Sequence, residues 1–213
     1  NAYATHGLPM IPFYIFYSMF GFQRVGDMVW SCGDMICRGF LLGGTAGRTT
    51  LNGEGLQHQD GHSHLLANTF PNMLSYDPAF GYELAIIVQD GIRRMYFEQE
   101  DIFYYLTVYN ENYSMPALPK DNHILEGILK GGYCYRRSDS AQGEVVNLLS
   151  SGAIMQQALQ AVETLEALGY RVHVWSMTSF NELARDAQDC ERWNRLHPTE
   201  PARQPYVKQL FSQ

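Results

Sequence analysis

The chain is poor in charge. Asp, Glu, Lys and Arg make up 17% of its 213 residues, against 46% hydrophobic residues. Disorder needs the opposite balance, so the composition describes a folded, globular chain. A basic excess is also missing. The net charge of −7 lacks the electrostatic footprint of a nonspecific nucleic-acid binder. Long apolar runs are scarce too. The uncharged stretch Gly7 to Gln23 is interrupted by Pro9 and Pro12 and falls short of the roughly 20 apolar residues of a membrane span. It reads as buried interior, with no membrane partner expected. Cysteine is limited to Cys32, Cys37, Cys134 and Cys190. A chain of this size needs no disulfide framework, and reduced thiols in a cytoplasmic protein are expected. Cys32 and Cys37 do not have zinc-ribbon spacing. No repeat, low-complexity tract or signal-peptide pattern is visible. With Asn1 in first place, the expectation is an internal piece of a longer chain.

Aromatics are plentiful, with 14 Tyr and 11 Phe, which implies a dense core or a large buried interface. The charge is unevenly placed. Residues 1–119 hold 5 of the 15 basic and 11 of the 22 acidic residues, so the first part is markedly acidic and the second nearly balanced. A boundary is expected near Pro116–Lys120, giving domains of residues 1–119 and 120–213.

The periodic signals alternate. Phe13, Tyr17, Phe20, Arg24 and Asp27 recur at helical spacing and predict a helix running to about Ser31. Gly39 to Gly44 reads as a buried strand, and residues 45–64 as a long loop of varied polar groups. Phe70 to Tyr76 is a strand candidate. Asp77-Pro78 predicts a helix start with Asp as N-cap. Ile102 to Tyr109, Gly127 to Tyr135, Val145 to Leu149 and Arg171 to Met177 read as strands. Helices are predicted after Gly152, ending at Gly169, and after the capping box Ser179-Phe-Asn-Glu182. Strands alternating with helices make the class α/β with mainly parallel sheets.

Four groups of residues point to chemistry. Gly43 to Thr49 resembles a phosphate loop, but its spacing is one residue short and Arg48 stands where Lys belongs. The dinucleotide fingerprint fails as well, because His58 takes the place of its third glycine. His58 and His62 have zincin spacing without the catalytic Glu, and Gly61 weakens a helix there. For His62 and His64 the expected role is bonding to backbone in a polar loop; no metal ligand is assigned. Glu54 and His58 stand four apart. A carboxylate beside a histidine can fix its tautomer and prepare it for proton transfer, with a structural hydrogen bond as the alternative. Tyr17 and Phe20 form an aromatic face, which is either core or a platform for a flat heteroaromatic ring.

Longer strings carry a resemblance. Tyr3-Ala-Thr-His-Gly7, the run from Pro12 to Asp27, and the run from Gly43 to His64 are similar to the homodimeric, bacterial-type pyruvate dehydrogenase first components. Ser75-Tyr-Asp-Pro78, Asn110-Glu-Asn-Tyr113 and Thr178 to Asp186 continue it along nearly the whole chain.

The resemblance implies a transketolase-like build. Residues 1–119 fall in the middle, pyrimidine-binding domain and residues 120–213 in the C-terminal domain. It implies thiamine diphosphate with Mg as cofactor, pyruvate as substrate, and a homodimer working with a dihydrolipoyl acetyltransferase component. Position by position, Phe20 resembles the aromatic that stacks on the aminopyrimidine. Tyr17 resembles an active-site tyrosine, His58 the histidine that handles the substrate, and Glu54 the carboxylate on the same loop. The family's Gly-Asp-Gly magnesium motif is absent: Gly26-Asp27 and Gly33-Asp34 are each followed by Met. The family's cofactor-activating glutamate is expected just before Asn1. The chain alone is therefore expected to be inactive. Alternatives are another transketolase-type thiamine enzyme, or a noncatalytic binding or assembly module of the same fold. The latter expects Glu54 and His58 to point away from the aromatic residues.

Overall fold

A computed structural model describes residues 2–47 and 55–212. The first half contains α1 (Ala2–His6), β1 (Phe13–Tyr17), α2 (Gly21–Asp34), β2 (Phe40–Gly44), α3 (Ser63–Ala67), β3 (Met73–Tyr76), α4 (Gly81–Ile92) and β4 (Phe103–Thr107). The second half contains α5 (Asn122–Lys130), β5 (Tyr133–Arg136), β6 (Val145–Ser150), α6 (Met155–Ala167), β7 (Arg171–Ser176), α7 (Phe180–Leu196) and α8 (Tyr206–Leu210).

Two sheets organise these elements. The first has the order β1-β2-β4-β3 and is wholly parallel. The second has the order β5-β7-β6, with β6 parallel and β5 antiparallel to β7. The α/β reading with mainly parallel sheets agrees with this. Parallel strands covered on both faces are near-continuous apolar runs, and β4 (Phe-Tyr-Tyr-Leu-Thr) is buried at every position. It packs with Phe40, Met73, Ile87 and Met95 in the main core. Gly43 on β2 sits where a Cβ would collide with the Tyr105 side chain, so the ring fills the space a larger residue would need.

The seam between the sheets is polar and centres on one buried carboxylate. Glu83 on α4 is fully buried. It accepts hydrogen bonds from the Tyr133 hydroxyl at 2.7 Å and the Ser176 hydroxyl at 2.6 Å, both from the second sheet. It also accepts from the backbone N–H groups of Ala79 at 2.6 Å and Phe80 at 3.1 Å, and so caps its own helix. Burial raises the Glu83 carboxyl above its ordinary range, and the bonds from Ser176 and Tyr133 offset part of that rise.

Three expected elements differ. Phe13 to Tyr17 is an edge strand, not the start of a helix; the helix begins at Gly21. Strand pairing of β1 with β2 overrides the coincidental 3–4 spacing of its aromatics. Asp77 does not cap α4, which starts later. Its carboxylate accepts instead from Thr107 at 2.5 Å, from Ser151 at 2.7 Å and from Tyr109. The segment 127–135 is split: it begins as the end of α5, which Gly131 closes at φ 105°, and β5 starts only at Tyr133. The Ser179 cap stands: its hydroxyl accepts from Glu182 N–H at 3.0 Å. The 45–64 segment contains a short 3-10 turn at Leu56–His58 and the start of α3.

Candidate functional site

The site grows from the carboxyl ends of the parallel strands, where open α/β sheets place their ligands. Tyr17 is the last residue of β1. Three residues later Phe20 stands immediately before α2. His58 ends the 3-10 turn and is anchored by its N–H to the Gly55 carbonyl at 2.9 Å.

The three rings meet edge to face. Centroid separations are 6.1 Å for Tyr17–Phe20, 5.8 Å for Tyr17–His58 and 5.4 Å for Phe20–His58, with interplanar angles between 64° and 76°. T-shaped contacts of this kind place ring edges against faces. Tyr17 is half exposed, so the cluster is a corner at the surface. The Arg24 guanidinium lies 4.3 Å over the Phe20 ring, a cation–π contact across one turn of α2. Arg24 stood in the helical pattern, but its stacking on Phe20 had no signal in the sequence. Glu54, the expected carboxylate partner of His58, lies outside the described residues, as do Arg48 and Thr49 of the glycine-rich run.

The other two histidines diverge from His58. His62 Nε2 lies 2.9 Å from Gln23 Nε2, tying the loop to α2. His64 Nε2 lies 3.0 Å from the Thr107 hydroxyl, which in turn donates to Asp77. Both ring partners are therefore side chains, where backbone groups were expected. Burial lowers the His64 pKa, with Asp77 and Asp60 opposing. Between the two, Asp60 caps α3 by accepting from the backbone N–H groups of His62 and Ser63, each at 3.0 Å. Burial raises its carboxyl, but these bonds and one from the Ser63 hydroxyl outweigh it, and the net direction is down. Among the described residues, no group of three or more His, Cys, Asp or Glu is placed to hold a metal ion.

A cleft of about 590 Å³ runs between the two sheets, lined by His62, His64, Asp77, Tyr109, Ser151 and Asn181 among others. Asp77 is the residue that the sequence reading missed here. Its Asp-Pro context resembles a helix start, and its partners Thr107, Tyr109 and Ser151 come from distant segments.

Residues 1–116 match the family described as the pyruvate dehydrogenase E1 component middle domain, and residues 131–213 the transketolase-like C-terminal domain. The chain is 56% identical to the pyruvate dehydrogenase E1 component of Escherichia coli K12 over 100% of its length, and to that of Pseudomonas aeruginosa over 99%. It spans 24% of the length of each of these curated relatives. Among solved structures, transketolase from Campylobacter jejuni superposes with a TM-score of 0.66 at 19% identity, covering 83% of this chain and 26% of that one. Transketolase from Leishmania mexicana gives 0.64 at 19%, covering 87% and 25%. These structural likenesses establish a transketolase-like fold.

Proposed function

The chain belongs to the pyruvate dehydrogenase E1 component family through its middle domain, and from that premise we propose that it forms the ring-holding half of a thiamine diphosphate site. The parent enzyme decarboxylates pyruvate oxidatively and passes the acetyl group to lipoyl groups. The observation that carries this reading is the convergence of Tyr17, Phe20 and His58 at the strand ends.

The residues fit one part of the cofactor. A half-exposed corner built from three rings suits a flat heteroaromatic ligand by stacking and edge contacts. Phosphate and magnesium need different chemistry, and among the described residues there is no carboxylate and histidine group for the ion. The diphosphate and Mg are assigned to a further domain of the parent protein. When bound, thiamine diphosphate supplies the electron sink that decarboxylation requires.

The chain's own residues supply the surroundings. Phe20 offers its ring to the pyrimidine, with Arg24 polarising the same π system. Tyr17 limits the orientation of the bound ring. His58 holds and moves a proton at the substrate oxygen, a role open to an imidazole because its ring nitrogens both donate and accept. Glu54, four residues earlier, is proposed to orient it.

A homodimer and a dihydrolipoyl acetyltransferase partner are part of the proposal. Its support is the apolar outer edge of the first sheet, where Phe13 is 49% exposed and Ile15 67%. Exposed apolar residues grouped on one edge mark interaction surfaces. A noncatalytic module is less well supported, because that reading expects His58 to turn away from the aromatic residues, whereas it packs against both. Another transketolase-type enzyme is less well supported too, since the 56% relatives bear the pyruvate dehydrogenase name.

The test uses the full-length protein with thiamine diphosphate and magnesium, following pyruvate-dependent acetylation of a lipoyl acceptor. The wild type is expected to turn over. His58→Ala is expected to lose about 100-fold or more, the usual scale for a lost acid–base group, with an unchanged circular dichroism spectrum. Wild-type turnover in the variant removes the role of His58. Absence of pyruvate turnover in the wild type removes the substrate.

A further inference from the structure

The C-terminal end of α2 carries a feature that the site at its other end does not use. Met35 caps the helix, Ile36 takes a positive φ of 55°, and the chain leaves through Cys37. Two backbone hydrogen bonds close the turn. Ile36 N–H donates to the Gly33 carbonyl at 3.1 Å, and Cys37 N–H donates to the Cys32 carbonyl at 2.9 Å. This pair of bonds defines a Schellman motif, which brings together the side chain three positions before the cap and the one two positions after it. In most helices that contact is apolar. Here both positions are cysteine. Both are free thiols.

Three further observations bear on their chemistry. The left-handed position is normally glycine, and β-branched Ile36 is strained there. The reduced turn therefore holds an unfavourable φ with two backbone bonds, while a covalent link between its two ends uses the approach that the motif already imposes on these two positions. Cys32 is half-buried, whereas Cys37 is only 4% exposed. One sulfur is reachable and the other is shielded beside it, which is the arrangement of an attacking and a resolving thiol. Both line a cavity of about 250 Å³ walled by Val25, Met28, Val29, Phe40 and Phe103, so the pair faces an apolar space.

We propose that Cys32 and Cys37 are a redox-active dithiol that closes to a disulfide across the helix cap when it meets a small disulfide such as glutathione disulfide. Cys32 loses its proton and its sulfur attacks one sulfur of the oxidant. The oxidant's S–S bond breaks and one glutathione leaves as a thiol. Cys37 then loses its proton and its sulfur attacks the Cys32 sulfur, and the second glutathione leaves as a thiol. Two electrons pass from the protein dithiol to the oxidant. Burial, and after it the neighbouring Cys37 thiol, hold Cys32 above its ordinary value, so the first attack is slow. The pair responds to sustained oxidation and is not built for rapid turnover.

The experiment equilibrates the full-length protein in buffers of graded glutathione disulfide to glutathione ratio, quenches in acid, alkylates free thiols and maps the peptides by mass. The peptide holding Cys32 and Cys37 is expected to pass from doubly alkylated to an internal disulfide, while Cys134 and Cys190 remain alkylated. Cys37→Ser is expected to trap glutathione on Cys32. Cys32→Ser is expected to leave Cys37 without an adduct. Double alkylation of Cys32 and Cys37 in the most oxidising buffer overturns the proposal, as does a link from either one to Cys134 or Cys190. The wild-type map decides this by itself if a variant does not fold.

Discussion

The aromatic corner and the seam between the sheets use side chains in opposite ways. At the seam, the Glu83 carboxylate collects four donors, two of them from the distant second sheet, and the Asp77 carboxylate three from segments 30 to 74 residues away. At the corner, Tyr17, Phe20 and His58 meet through ring edges, and Tyr17 stays half exposed. A buried charge is tolerated only when donors surround it, so the seam is committed to assembly. Ring edges and exposed faces commit nothing, and leave surface for a ligand. Damage at the seam should therefore appear as lost stability, and damage at the corner as lost activity.

Glu83→Ala should give the largest effect on the folded state. It strands the Tyr133 and Ser176 hydroxyls and two helix N–H groups in a buried space, at a cost of about 3 kcal/mol or more. Denaturant unfolding of the full-length protein measures it; a loss under about 1 kcal/mol would mean that the seam is hydrated. His58→Ala inverts the pattern. The expected loss in acetyl transfer is about 100-fold, with an unfolding midpoint close to wild type. A variant that loses stability and activity together would erase the distinction between the regions.

Glu83→Gln sharpens the seam through pH. Burial raises the native carboxyl above its value in the unfolded chain, so the native state binds the proton more tightly. As pH rises from about 4.3 through the native value, the native state alone still holds the proton, and stability falls. The wild type should therefore lose stability relative to Glu83→Gln over that window. Parallel stability curves for the two proteins would contradict the raised value. The smallest effect belongs to Arg24→Gln. Removing the cation over Phe20 should cost about 0.5–1 kcal/mol in cofactor binding, read as a several-fold rise in the apparent Kd for thiamine diphosphate, with stability nearly unchanged.

Much of this was legible in advance, for reasons that differ by residue. Gly39–Gly44, Val145–Leu149 and Arg171–Met177 read as strands because β-branched or apolar runs bounded by turn residues leave few other solutions, and β2, β6 and β7 form there to within one residue at an end. Ser179 read as a cap because its hydroxyl needs only the N–H three residues on. Tyr17 and Phe20 were singled out, but on the wrong element. Their spacing imitates a helix, and only the partner β2 shows that Phe13–Tyr17 is a strand. Asp77 was read locally as a cap because its true donors, Thr107, Tyr109 and Ser151, lie 30 to 74 residues away.

By itself, the sequence determined the α/β class, the polar and aromatic residues worth watching, and the Ser179 helix cap, because periodicity and capping act within a few positions. The tertiary structure decided which of those residues meet. It brought His58 against Phe20, set Glu83 between two sheets, and turned Asp77 from a cap into a hub. Those outcomes depend on strand pairing and on desolvation between distant segments, and no local pattern carries that information.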